Sequence, residues 1–191
     1  NFFNIPRFLK EPSHKIPLYK NLKFINNQYN HFPITDNKIL KQLIIDYANN
    51  SEKIIICASE IDNFGADLVI NHVNKKQNTS LHIGTYSYMT KCDVLKKLYS
   101  AKDKFLNLAF IKHPRYHGKI YLFKNKHDYV FIITSSNLTS KSFNQNIEGS
   151  TVLFGEGSNP TIQKLIKSIN LITNGNIELS YRLVSLYGEI N

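Results

Sequence analysis

His117 and Lys119 stand two residues apart in the run Arg115-Tyr116-His117-Gly118-Lys119-Ile120. In an extended chain, residues at that spacing share one face, so an imidazole and an ammonium would project side by side. The pair suits a phosphate ester. The ring attacks phosphorus or protonates the leaving oxygen, and the cation neutralises the nonbridging oxygens. Ser135 and Asn137 repeat the spacing where a strand is predicted to meet a helix. They offer a hydroxyl and an amide beside helix N-terminal amides, which favour anions. Glu148, at the start of the following strand, is placed to accept the second ring N–H of His117 and so fix its tautomer. Taken singly, each residue has a plainer reading: a surface histidine at a strand start, ordinary helix capping, an exposed strand charge. The ordered set of five is what points to phosphoryl chemistry.

That set, His117-Gly118-Lys119 followed by Ser135-Ser136-Asn137-Leu138-Thr139 and Glu148, resembles the HKD motif of the phospholipase D superfamily over about residues 115–154. The interval of eleven from Asn137 to Glu148 is the family's spacing. Two positions depart from the pattern: Lys124 stands where the family has Asp, and Thr134 where it has Gly. The gap between the two halves of the motif is also longer, which suggests an extended hairpin tip at Asn125–Asp128. None of His14, His31, His72, His82, His113 and His127 is followed by a second x-Lys, so the chain carries one motif.

The resemblance implies a phospholipase D-like fold and catalysis through a covalent phosphohistidine. Two motifs would face each other across the twofold axis of a homodimer with a composite site. The catalytic set it implies is His117, Lys119, Ser135, Asn137 and Glu148, with no cofactor and no metal. Single-motif soluble members are similar to nucleases, including the catalytic domains of restriction endonucleases in which a DNA-recognition domain follows. DNA is therefore the expected partner, with cleavage independent of metal. Arg115 and Lys112 would lie on the cleft rim and hold flanking phosphates; alternatively, Arg115 pairs with a surface carboxylate. Other readings stay open: a lipid phosphodiesterase or phosphatidyltransferase, an RNase, or a degenerate noncatalytic nucleic-acid-binding module.

Charge alone does not select among them. The chain has 24 Lys and Arg against 14 Asp and Glu, a formal net charge of +10. A polyanion partner would explain it. So would codon bias, since 21 of the basic residues are Lys and there are 23 Asn and 24 Ile. The hydrophobic fraction of 42% excludes wholesale disorder. Eight Gly, six Pro and two Cys exclude collagen-like and disulfide-framework chains. No apolar run reaches the roughly 18 residues of a membrane span. Asn1–Pro6 lacks the layout of a signal peptide, and a start at Asn reads as a trimmed chain. Cys57 and Cys92 form no metal-binding spacing and read as free thiols, which fits a cytoplasmic setting.

The elements that must carry the site follow from periodicity. Residues 1–34, with four of the prolines, read as an irregular arm with a short strand near Leu22–Ile25. Helices are expected over Asn37–Asn50, Phe64–Lys75, Cys92–Ala101, Leu138–Asn144 and Pro160–Thr173, the last closed by Gly175. Strands are expected over Lys53–Ser59, Ser80–Thr85, Leu106–Lys112, Lys119–Lys124, Tyr129–Ser135 and Gly149–Phe154. The run Lys53–Ser59 is almost wholly apolar, as in a strand covered on both faces. Strand–helix alternation points to an α/β fold: a mixed, mostly parallel central sheet with helices on both faces. The nuclease domain is placed at 35–175, and 176–191 reads as a C-terminal strand or a linker to a further domain.

Overall fold

The computed structural model describes residues 30–73, 78–85, 89–102 and 106–190. The strand expected near Leu22–Ile25 lies outside them. The elements are β1 (Asn30–Ile34), α1 (Asn37–Asn49), β2 (Lys53–Ala58), α2 (Asn63–Leu68) continued by a π-helical turn (Val69–Val73), β3 (Asn78–Ile83), α3 (Cys92–Ser100) and β4 (Leu106–Phe110). After these come β5 (Ile120–Asn125), β6 (Asp128–Thr134), α4 (Ser140–Asn144), β7 (Ser150–Glu156), α5 (Pro160–Thr173), β8 (Ile177–Glu178) and α6 (Tyr181–Ile190).

All eight strands join one sheet in the order β1-β7-β6-β5-β2-β3-β4-β8. It is mixed, but mostly antiparallel rather than mostly parallel. Only β2–β3 and β3–β4 run parallel; β1–β7, β7–β6, β6–β5, β5–β2 and β4–β8 are antiparallel. A parallel pair needs a crossover of a dozen residues or more, which α2 and α3 supply in the first half. In the second half β5 turns back beside β2 and reaches β6 through a two-residue loop, Lys126-His127, with Lys126 at φ 52 as a tight hairpin of this twist requires. The first-half alternation does not carry over to the whole sheet.

The sheet buries both faces. Ile54 and Ile56 of β2 point into the larger core with α1, α2, α3, α4 and α6, where Leu40, Ile44, Tyr47, Leu95, Phe143 and Val184 pack. Ile55 and Cys57 point the other way, against Ile162 and Ile169 of α5. The double burial explains why β2 is apolar at every interior position.

Both ends of the sheet differ from the sequence reading. Where prolines argued for irregular chain, β1 adds an edge strand; Pro33 is tolerated there because an edge position need not donate to a neighbour. At the other edge, 177–190 divides into the two-residue β8 and α6. Tyr187 of α6 stacks on Phe110 at 5.3 Å and donates from its hydroxyl to Thr90 O at 2.9 Å.

Candidate active site

The registers bring the motif together at one end of the sheet. Cys57, next to last in β2, pairs with Ile120, first in β5. Ile120 in turn pairs with Ile133, and Thr134 with Ser150. The start of β5, the end of β6 and the start of β7 thus meet just beyond the C-terminal end of β2. The ends of parallel strands in open α/β sheets are where ligand sites form.

His117 and Lys119 project to the same side, with Lys119 Nζ 3.2 Å from His117 Nδ1. An ammonium can only donate, so Nδ1 accepts in this contact and the ring is neutral with its proton on Nε2. His117 is exposed, whereas Lys119 is 6% exposed. Burial lowers the Lys119 ammonium from its ordinary range, while the carboxylates of Glu148 and Glu60 pull it back up. The result is a cation stripped of much of its water and held between two acids, suited to a dianionic transition state.

Ser135 Oγ donates to Glu148 Oε2 and accepts from Gly149 N at 3.0 Å. Asn146 Nδ2 donates to Glu148 Oε1 at 2.9 Å. Burial acts to raise the Glu148 carboxyl, but the hydrogen bonds from Ser135, Asn146 and Ser142 and the charge of Lys119 together hold it below the usual carboxylate range. The expected Glu148–His117 hydrogen bond is absent. The carboxylate is engaged by Ser135 and Asn146, and Nδ1 of His117 faces Lys119.

Asn137 is held by a segment the sequence reading passed over. Ser59 Oγ donates to Asn137 Oδ1 at 2.7 Å, and Asn137 Nδ2 donates to Glu60 Oε2 at 2.9 Å. The backbones are joined as well, Leu138 N to Glu60 O at 3.2 Å and Asp62 N to Leu138 O at 3.1 Å. Asp62 caps two helices at once: Oδ1 accepts from Gly65 N at 3.0 Å, and Oδ2 from Ser140 N at 2.7 Å. The signal available in the sequence was the polar pair Ser59-Glu60 following the apolar run Ile54–Ala58.

The two departures from the motif have structural reasons. Thr134 is buried, and its Oγ1 accepts from Ser136 N at 2.9 Å and from Ser150 Oγ at 2.8 Å, bracing the turn that presents Ser135 and Asn137. Lys124 lies at the far end of β5, about 16 Å along the strand from Lys119 at ~3.3 Å per residue, with Nζ 6.0 Å from the Tyr129 ring centroid.

Arg115 and Lys112 are exposed and line a cleft of about 640 Å³ that reaches His117; its other wall is Leu171, Ile172, Asn174 and Asn176. Among the described residues Arg115 makes no ion pair with a carboxylate. Also among them, no three His, Cys, Asp or Glu side chains gather as a metal site would need, and no helix is long and apolar enough to cross a membrane.

Comparison with known proteins bears on the family and the fold. A family model described as the NgoFVII restriction endonuclease N-terminal PLD domain matches residues 37–180. No curated protein matches the chain in sequence. Among solved structures, the phospholipase D family member Nuc from Salmonella typhimurium superposes with a TM-score of 0.63 at 11% identity, over 80% of this chain and 99% of that one. NucT from Helicobacter pylori gives 0.59 at 10% identity, over 80% and 100%. A phosphatidylserine synthase from Haemophilus influenzae gives 0.59 at 13% identity, over 81% of this chain and 41% of that one. At these identities the likeness is one of fold.

Proposed function

Because the chain belongs to the family of the NgoFVII restriction endonuclease N-terminal PLD domain, a phospholipase D-like nuclease family, we propose that it is a metal-independent DNA phosphodiesterase working as a homodimer, the catalytic domain of a restriction-type endonuclease. The observation that carries the reading is the contact of His117 with the buried Lys119 at an exposed sheet end that also holds Asn137. In the proposed reaction the imidazole of one copy attacks phosphorus. A nitrogen–phosphorus bond forms, the bond to the leaving oxygen breaks, and that oxygen takes the Nε2 proton of the second copy's His117, which donates as an imidazolium and is left neutral. The second ring, now a base, removes a proton from water, which attacks the phosphohistidine and frees the 5′ or 3′ phosphate and the first ring. Lys119 and Asn137 stabilise the nonbridging oxygens in both steps.

The attacking ring must be neutral with its proton on Nδ1, and the donating ring must be an imidazolium protonated on both nitrogens. Both states carry a proton on Nδ1, so each copy must release the Nδ1–Lys119 contact when it takes up its role. Each copy passes through one role, which is the physical case for two chains at one site. Arg115 and Lys112 on the cleft wall would hold flanking phosphates.

Supercoiled plasmid incubated with the chain in excess EDTA tests the proposal. Nicked and linear DNA are expected with wild type and neither with His117→Ala. Uncut plasmid with wild type, or equal cutting by the variant, rejects it.

A further inference from the structure

We infer that Glu60 is a positioning residue for Asn137: its carboxylate fixes which end of the side-chain amide faces the phosphate. The inference deepens the phosphodiesterase reading and rests on it. An amide has two nearly isosteric orientations, and most neighbours do not discriminate between them. Ser59 is such a neighbour, because its hydroxyl could serve either the oxygen or the nitrogen of Asn137. An ionised carboxylate only accepts, so Glu60 Oε2 at 2.9 Å compels Nδ2 to face it, and Ser59 then donates to Oδ1 at 2.7 Å. The second Nδ2 proton has no protein partner among the described residues and remains for a nonbridging oxygen. With the amide reversed, a carbonyl oxygen would meet the phosphate and repel it.

The placement of Glu60 supports the role. It follows β2 directly, and its backbone carbonyl binds Leu138 N, so its side chain and Asn137 are tied at two points. The groups facing it come from every neighbouring element: Asp62 before α2, Lys119 before β5, Lys141 of α4, and His117. Burial first, and then the charge of Asp62, raise the Glu60 carboxyl above its ordinary range, and the three basic side chains counter this only in part. The role requires the ionised form, which is present above that raised value.

Cleavage kinetics on Glu60→Ala, Asn137→Ala and the double variant test this. Asn137 acts most on the transition state, so Glu60→Ala should lower kcat roughly tenfold or more with KM within about twofold. Outright loss of an oxyanion donor costs on the order of 10²–10³. The double variant should be no slower than Asn137→Ala alone. Wild-type kcat in Glu60→Ala, a loss confined to KM, or additive losses in the double variant overturns the inference while leaving the phosphodiesterase reading intact. Should the alanine variant not fold, Glu60→Gln makes the same point: it keeps the shape but can donate as well as accept, so kcat should fall at unchanged KM, and wild-type kcat overturns the inference.

A second readout does not depend on cleavage and decides the matter if wild type proves inactive. In ¹⁵N-labelled protein, the Asn137 side-chain amide, identified by its loss in Asn137→Ala, should give one sharp, exchange-protected proton, the one donated to Glu60, and one that exchanges freely. Both sharpness and protection should be lost in Glu60→Ala; identical spectra overturn the inference.

Discussion

Replacing Gly65 by Ala strikes the joint on which the site depends. Gly65 lies in α2 against the backbone of Leu138, the residue after Asn137. A Cβ added there would stand 1.9 Å from Leu138 O and 2.7 Å from Leu138 C, where real Cβ contacts essentially never fall under 3.0 Å. The two backbones must part by about 1 Å, and neither atom is the movable end of a side chain. Separation breaks or stretches the Asp62 N–Leu138 O and Leu138 N–Glu60 O hydrogen bonds, each worth about 1 kcal/mol net. Residual overpacking adds about 1–3 kcal/mol, and the better helix propensity of Ala returns about 1 kcal/mol. The net loss is about 2–4 kcal/mol, which for a chain of this size is about 5–15 °C in Tm. Asn137 moves with Leu138, so cleavage should fall further than stability accounts for at a temperature where the variant is folded. Gly149→Ala is the control: it neighbours Glu148, but its added Cβ meets nothing within 4 Å. Thermal unfolding by circular dichroism, with plasmid cleavage alongside, measures both. A Gly65→Ala variant within about 0.5 kcal/mol of wild type and fully active, or a Gly149→Ala variant equally damaged, would refute the reasoning.

Other outcomes follow from the same geometry. The folded Glu148 carboxyl lies below its ordinary value, so its contribution to stability is present at neutral pH and is lost as pH falls through that lowered value. Between pH 7 and 3 the Tm of wild type should fall more steeply than that of Glu148→Gln, and parallel curves would contradict the assignment. Burial pushes the Cys57 thiol up to about 12, so a thiol reagent at pH 8 should label Cys92 first and reach Cys57 only on unfolding; two equally fast thiols would show that the β2–α5 core is open. Lys124→Ala should leave cleavage within about twofold of wild type despite occupying a position of the motif, because it sits at the wrong end of β5; a tenfold loss would place that end in the site.

The grouping of the motif side chains was legible because it is local. His117 and Lys119 are two apart on one strand start, and Ser135, Asn137 and Glu148 follow within a short stretch, so spacing alone says which side chains share a face. Glu60 was not legible by that route. It reaches Asn137 across 77 residues of chain, through a return of the sheet that no local pattern records. Sheet direction failed for the same reason. Each strand could be read from its own residues, but whether β5 lies parallel or antiparallel to β2 depends on where the chain turns after β4. The Glu148–His117 hydrogen bond was expected from the place of Glu148 at the start of the following strand, and it fails here because Asn146 and Ser135 are closer claimants to the carboxylate. Thr134, out of place against the motif, became intelligible once Ser150 was found beside it.

The central claim is that His117 forms a covalent bond to the phosphorus of a DNA strand. It is tested most directly by quenching the chain with an end-labelled oligonucleotide during turnover in EDTA and separating the products under denaturing, non-acidic conditions. Label migrating with the polypeptide, released by mild acid and absent in His117→Ala, is the predicted result. Cleavage by wild type with no label on the protein, or label that persists in His117→Ala, would contradict it.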